Sequence, residues 1–323
     1  MEKKIAILYT GEFRTIEKTI ELFKQNVLIN DNCHVFAVIQ NNNNENIDQF
    51  IQNAVKDNLK TYINFDKNDD NWINIREKLL NDMNTHENWK NYLRNSGSMI
   101  EYYQMYLAYY SMSKYEKEND IEYDFVIRFR TDTVLKDKLN FDWLEYNNDT
   151  IRNMLYKIKD KYNFDTIMST ETLHIFFNTF YNEKRIDYMP IPDCDITPAT
   201  LNKLLNETTE EQFISNVCEY IKNGDYIIGF RVNVIYFIKR QLMDKIHLLG
   251  INYGKYVYEK EKDIYWVNAE CQLRQTCLQN NIDFYSSVTN LEDISLYSYN
   301  KNNYFDETNN LLDDNYSFFI MRN

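Results

Sequence analysis

Two continuous apolar runs separated by a segment of helical period constrain this chain more than any other feature. Ile5-Ala-Ile-Leu-Tyr9 and Cys33-His-Val-Phe-Ala-Val-Ile39 have strand length and are apolar at successive positions, the pattern of a strand covered on both faces. Between them, Ile16, Ile20, Phe23 and Val27 recur at helical spacing within 14–27. Strand, turn at Thr10-Gly11-Glu12, helix and strand form the opening of a parallel α/β sheet. A third run, Asp124-Phe-Val-Ile-Arg-Phe-Arg130, leads into Thr131-Asp132-Thr133-Val134-Leu135 and reads as the next principal strand.

The segments between these strands continue the alternation. The pattern predicts a helix near 47–58, a short strand at 61–65 and amphipathic helix over 71–95 with Trp72, Ile75 and Leu79 on one face. Ser96-Gly97-Ser98 reads as the cap of a long helix from Met99 to about Lys117, with Glu101 three residues after Ser98 completing a capping box. Residues 136–200 carry less pattern: a strand candidate at Asp165–Ser169, and three prolines, Pro190, Pro192 and Pro198, that mark a loop near 182–198. Helices at 199–206 and 209–222, a strand at Asp225–Gly229 leading into a helix through about Met243, a helix at 268–279 and a closing strand at 282–286 follow. Beyond Asn300 the chain is polar, and Phe318-Phe-Ile-Met321 is the segment able to dock back.

Composition narrows the function classes. A net charge of -13 argues against a nucleic-acid or anionic-membrane surface, both of which require a basic face. The aromatic share of 15% supplies ample core, which excludes global disorder. The low glycine and proline content and the abundance of Asn, Ile and Lys match translation of an AT-rich genome, so the Asn-rich stretches and the Asn-x-Ser/Thr sequons carry no message. The N-terminal apolar run meets a polar turn too soon for a signal peptide, and no segment approaches the roughly 18 apolar residues of a membrane span. Five cysteines without metal-knuckle spacing read as core thiols of a reducing compartment. The expected location is the cytoplasm, or the host cytoplasm if the chain is viral.

The chemistry concentrates after the first and third principal strands. Ligands of open α/β sheets bind beyond the carboxyl ends of the strands, where Thr10, Gly11 and Arg14 follow one strand and Arg128, Arg130 and Asp132 end the other. Arg128 and Arg130 alternate with Phe129 and therefore share a side of their strand. A carboxylate at 132 can hold a divalent cation, and the arginines can pair with phosphate; a plain ion-pair cluster at a strand end is the competing reading. Gly11 permits close approach of backbone to a ligand or merely turns the chain. Gln104 and Tyr103 project from the long helix toward this region or into the core. The four histidines are scattered; His34 reads as a satisfied core residue and His247 as the one late candidate for a metal ligand. No P-loop, Gly-x-Ser-x-Gly or Gly-x-Gly-x-x-Gly occurs.

Several of these segments resemble GT-A-type nucleotide-sugar glycosyltransferases of the kind found in giant viruses and bacterial surface-polysaccharide clusters. Ile5-Ala-Ile-Leu-Tyr-Thr-Gly11-Glu-Phe-Arg14-Thr15 is similar to their first strand and Gly-x-x-Arg-Thr turn. Tyr123-Asp-Phe-Val-Ile-Arg-Phe-Arg-Thr-Asp132 resembles their Arg-x-Arg-x-Asp stretch, which occupies the place of the Asp-x-Asp motif of better-known members. Ser96–Gln104, Asp225–Arg231 and Asn268-Ala-Glu270 resemble their helix before that stretch, a downstream strand-to-helix turn, and a helix start carrying an acid. The departure is Arg130, which stands where a full Asp-x-Asp has an acid.

The resemblance implies a single GT-A-like (Rossmann-like) α/β domain over residues 1–300, with a mostly parallel central sheet flanked by helices. Its nucleotide-binding half is 1–135 and its acceptor half 136–300, followed by a tail at 301–323. It implies transfer of a sugar from a nucleoside diphosphate sugar to a glycan or protein-linked hydroxyl acceptor. Thr10, Gly11, Arg14, Gln104, Arg128, Arg130 and Asp132 would bind the donor, Asp132 would hold Mn2+ or Mg2+, and Asp225 and Glu270 are the candidate catalytic bases. Asp132→Ala is expected to abolish turnover with the fold nearly intact. Two alternatives stay open: a noncatalytic binding protein on the same scaffold, and a sugar-phosphate nucleotidyltransferase.

Overall fold

The structure, a computed structural model, describes residues 3–29, 31–41, 46–135, 138–139, 141–181, 194–206, 209–231, 234–255, 269–286, 298–299 and 318–321. It opens with β1 (Ile5–Glu12), α1 (Ile16–Asn26), β2 (Cys33–Gln40), α2 (Ile47–Val55) and β3 (Leu59–Phe65). Three helices follow, α3 (Asp70–Asp82), α4 (Glu87–Asn95) and α5 (Ser98–Asn119), before β4 (Phe125–Arg130) and the short β5 (Thr133–Leu135). Next come α6 (Asn148–Tyr162), α7 (Thr170–Tyr181), β6 (Cys194–Asp195), α8 (Pro198–Leu205) and α9 (Glu210–Asn223). The remainder comprises β7 (Tyr226–Arg231), β8 (Ile235–Lys239), α10 (Arg240–Ile246), α11 (Leu249–Asn252), α12 (Ala269–Gln279), β9 (Asp283–Ser286), β10 (Ser298–Tyr299) and β11 (Phe318–Met321).

Eight strands form one sheet in the order β3-β2-β1-β4-β8-β7-β9-β6. The β3, β2, β1 and β4 strands run parallel, as do β7 and β9, while β8 and β6 run against their neighbours. The expected α/β domain with a mostly parallel sheet is what the chain builds. The chain winds outward from β1 through β2 to β3 and returns to lay β4 on the other side of β1. That reversal puts a topological switch point between the carboxyl ends of β1 and β4.

Side-chain alternation sorts the two faces. Ile5, Ile7 and Tyr9 of β1 and Phe125, Ile127 and Phe129 of β4 join Ile16, Ile20, Phe23, Ile47 and Ile51 of α1 and α2. Ala6, Leu8 and Val126 join Met99, Met105, Ala108 and Met112 of α5. Tyr9 stacks on Phe23 at 4.3 Å, and Phe23 meets Phe129 at 5.2 Å, which fastens α1 across both central strands. Each such fully buried ring stabilises the fold by about 2–3 kcal/mol. A third cluster, led by Phe176, Phe177 and Phe213, gathers α6 to α9 against Tyr226 and Tyr285 of the sheet.

Several local expectations change. Residues 165–169 form no strand; Ser169 Oγ accepts from Thr172 N at 3.1 Å and starts α7. The helix predicted from Gly229 through about Met243 begins only at Arg240, as α10; before it lies the hairpin partner β8, because the unbroken apolar run Val234–Ile238 is buried on both faces and its period does not separate strand from helix. The 282–286 strand is interior, between β7 and β6. The amphipathic stretch 71–95 is two helices. The loop expected near 182–198 lies outside the described residues from 182 to 193. The docking expected of 318–321 is present: β11 pairs antiparallel with β5. Among the described residues no helix is long and apolar enough to cross a membrane.

His34 sits in β2 with Nδ1 2.7 Å from Tyr123 Oη and with Tyr115 and Tyr123 edge-on. Burial, followed by the charges of Lys60 and Lys4, lowers its pKa to about 4. The fold therefore prefers the neutral ring, so this contribution is complete above the unfolded value near 6.5 and is lost as pH falls from there toward 4. Urea midpoints of the wild type and His34→Gln, measured between pH 7.5 and 4.5, should converge or cross on acidification, with the wild type losing more. Parallel pH profiles would contradict it.

Candidate active site

Gly11 decides how closely the two central strands approach at the switch point. Its φ is +148°, and a Cβ there would collide with Thr131 Oγ1. Without that side chain, Thr131 N donates to the Thr10 carbonyl at 3.0 Å and Thr131 Oγ1 donates to the Glu12 carbonyl at 2.9 Å. Thr19 Oγ1 of α1 donates to the Thr131 carbonyl at 2.8 Å. The turn after β4 is thus sewn to the turn after β1, and Asp132 is presented beside Arg14.

Asp132 is buried, and both of its oxygens accept from guanidinium groups. Arg130 Nε donates to Oδ1 at 2.9 Å and Arg130 Nη2 to Oδ2 at 2.5 Å, while Arg14 Nη2 reaches Oδ2 at 3.0 Å. Burial pushes the Asp132 pKa upward, but the charge and hydrogen bonds of Arg130, then those of Arg14, bring it below the ordinary aspartate value. Arg130 also pairs with Glu101 of α5 at 2.9 Å, and Arg14 with Glu12 at 3.6 Å. Glu101 therefore serves the site rather than a capping box: α5 starts at Gly97 without a side-chain cap.

These groups line a cleft of about 770 Å³ at the carboxyl edge of the parallel strands. One wall is formed by Gly11, Glu12, Arg14, Arg130 and Asp132. The facing wall comes from the β3–α3 loop and from α3 and α4, with Lys67, Arg76, Tyr92 and Arg94; Gln104 and the start of α5 close the end. Among the described residues the lining carries five cationic and three anionic side chains, on a chain whose overall charge is -13. An excess of positive charge confined to one concave surface selects for an anionic ligand.

The expected site residues separate into groups. Gly11, Arg14, Gln104, Arg130 and Asp132 come together, with Gln104 Nε2 donating to the Gly11 carbonyl at 3.2 Å. Thr10 is fully buried below the cleft floor, and its Oγ1 has no hydrogen-bond partner among the described residues. Arg128 does share Arg130's side of β4, but it is buried and donates to the Val234 carbonyl at 2.9 Å instead of reaching the rim. Burial lowers its pKa, against the pull of Glu101.

Asp225 is a correction. It precedes β7, whose Ile227 is level with Ile238 of β8 and hence with Val126 of β4, so it lies at the opposite edge, about 20 Å from Asp132 along the strand direction. Glu270 follows Ala269, which lines the cleft, but the Glu270 side chain is outside the described residues. His247 is also corrected: it stacks on Tyr109 at 3.8 Å, and its Nδ1 lies 3.0 Å from the Met243 carbonyl.

A resident divalent cation does not fit the described residues. Three guanidinium N–H groups leave the Asp132 carboxylate about one lone-pair direction, and two cationic groups beside it repel a second cation. No group of three His, Cys, Asp or Glu side chains is assembled among the described residues. Sequence reasoning missed Glu12 and the entire facing wall, since nothing in the α3–α4 pattern distinguishes a cleft wall from a solvated helix face. Compared with models of known protein families and with curated proteins, the chain matches none.

Two substitutions test this geometry. Gly11→Ala should cost about 1–3 kcal/mol from backbone strain and the collision with Thr131, and adding Thr131→Ala should recover only the steric part, as read from denaturant midpoints. Asp132→Ala should cost about 3 kcal/mol, the low end for opening a buried ion pair because Glu101 and Glu12 each retain one guanidinium. The fold is therefore not indifferent to this substitution, contrary to the expectation from sequence, and an unchanged midpoint would refute the pairing.

Proposed function

We propose that the chain is a glycosyltransferase that binds a nucleoside diphosphate sugar in this cleft and passes the sugar to a hydroxyl of a glycan or other acceptor, acting in the cytoplasm. The observation that carries the reading is the pair of guanidinium groups, Arg14 and Arg130, fixed on Asp132 at the switch point and lining a cleft of an otherwise acidic α/β chain. A diphosphate lying over Arg14 and Arg130 would take the place of Glu12 and Glu101 while Asp132 keeps its hydrogen bonds, and guanidinium groups suit pairing with phosphate oxygens. The same groups would stabilise charge as the diphosphate departs from the anomeric carbon. Asp132 would act by holding Arg130 and Arg14 in place. The resemblance of the Arg-x-Arg-x-Asp stretch and the Gly-x-x-Arg-Thr turn to GT-A-type enzymes supports the same reading, and no step in it runs through Mn2+ or Mg2+.

A second reading, a noncatalytic nucleotide-sugar binder, is favoured by one observation. Among the described residues each carboxylate lining the cleft, Glu12, Glu101 or Asp132, has an arginine within 4.0 Å, which disfavours its service as a base.

A thermal-shift panel of nucleoside diphosphates, their sugars, and a nucleoside triphosphate with a sugar phosphate, each with EDTA or with Mn2+, tests the proposal. A ligand present at a hundredfold excess over Kd stabilises by about 2.7 kcal/mol. A diphosphate-dependent rise in Tm that survives EDTA and vanishes in Arg14→Ala is expected, with transfer or slow hydrolysis of the matching nucleotide sugar. Binding without turnover would select the noncatalytic reading, stabilisation only by triphosphate plus sugar phosphate would select a nucleotidyltransferase, and no shift would reject all three.

A further inference from the structure

The two walls of the cleft repeat one device. On the strand wall, Asp132 lies between Arg14 and Arg130; on the facing wall, Glu77 lies between Arg76 and Arg94. Arg76 Nη2 is 2.7 Å from Glu77 Oε1, and Arg94 Nε donates to Oε1 and Oε2 at 3.2 and 3.1 Å. The balance differs. Glu12 and Glu101 further neutralise the strand wall; on the facing wall Glu87 lies 4.0 Å from Arg94, but Lys67 adds charge and has no ion-pair partner among the described residues. The positive excess of the cleft therefore resides on the α3–α4 side, away from Asp132.

That wall is held rigidly. Asp69 caps α3 by accepting from Asn71 N and Trp72 N at 2.9 and 3.1 Å, and Trp72 stacks on Tyr103 of α5 at 4.9 Å. Arg76 lies four residues after Trp72, on the same helix face. Two residues before Arg94, Tyr92 lines the same cleft and is 51% exposed, with Trp89 edge-on at 5.2 Å. A supported aromatic face beside guanidinium groups suits a pyranose ring that carries a negative substituent.

We propose that Lys67, Arg76 and Arg94, with Tyr92 as a platform, form a second anion subsite that takes the acceptor, and that the acceptor is a phosphorylated or carboxylated sugar. This rests on the transferase reading of the same cleft, with the donor diphosphate on Arg14 and Arg130. Specificity arises because a neutral acceptor leaves the surplus positive charge of this wall, that of Lys67, without a counter-charge.

Calorimetric titration of the full chain, first with nucleoside diphosphate and then, at saturation, with glucose, glucose 6-phosphate or glucuronate, tests it. The charged sugars should bind at least tenfold more tightly than glucose, and the stronger of the two identifies phosphate or carboxylate as the recognised group. Arg94→Ala and Lys67→Ala should each weaken the charged sugar at least fivefold and alter nucleotide affinity less than twofold. Lys67 is exposed and has no ion-pair partner among the described residues, so its variant reports binding even if Arg94→Ala unfolds. Nucleotide binding with no preference for charged sugars overturns the subsite alone, as does displacement of the nucleotide by them. Failure of every nucleotide to bind overturns the transferase reading and the acceptor assignment with it.

Discussion

A buried carboxylate without partners is too costly to survive in a fold, with an effective penalty of several kcal/mol even after relaxation. Asp132 is such a group, and the structure around the switch point is arranged to satisfy it. Arg130 comes from the same strand end, Arg14 from the turn after β1, and both lie on it at hydrogen-bond distance. The geometry demands that the two turns meet, and they do so because position 11 has no side chain to obstruct Thr131. The guanidinium groups are consequently immobilised before any ligand arrives. Pre-organisation of this kind reduces the ordering cost of binding an anion.

The chain's negative charge and its cationic cleft are compatible because electrostatic selection is local. Charges more than about 10 Å apart across solvent are largely screened at ordinary ionic strength, so a lining rich in arginine acts on a ligand inside the cleft while the acidic exterior does not cancel it. The pairing of each arginine with a carboxylate also makes the empty cleft tolerable. Like charges that would repel one another are separated by Glu101, Glu77 and Asp132, and an incoming anion need only exchange with Glu101, Glu12 or Glu77 while Asp132 stays paired.

Much of the scaffold was legible. β1, α1, β2, β3 and β4 follow from apolar runs and helical spacing; the switch point required the strand order β3-β2-β1-β4. Gly11, Arg14, Arg130 and Asp132 were recognisable as ligand-side groups because they follow or end apolar strands, whereas Gln104 was open between the cleft and the core. Val234–Ile238 was misread because an apolar run of that length is ambiguous between a strand and part of a helix. Glu101 was misread because Ser-x-x-Glu satisfies the capping pattern whether or not the acid is claimed by a partner from another element. Arg128 was placed on the correct side of β4 but at the wrong depth, since alternation reports the face and not the distance from the rim.

The sequence alone therefore determined most of the strands and helices, those of the first 135 residues above all, which face of β4 carries its arginines, and that a lone acid follows them. Those properties depend on spacing within one element. Tertiary structure decided that Asp132 spends its lone pairs on Arg14 and Arg130, that Asp225 falls at the far edge of the sheet, and that Arg76 and Arg94 confront the strand ends. Each of these is a meeting of groups separated by tens to more than a hundred positions in the chain. Periodicity does not encode such meetings; strand order, strand direction and the packing of α3 and α4 against α5 do.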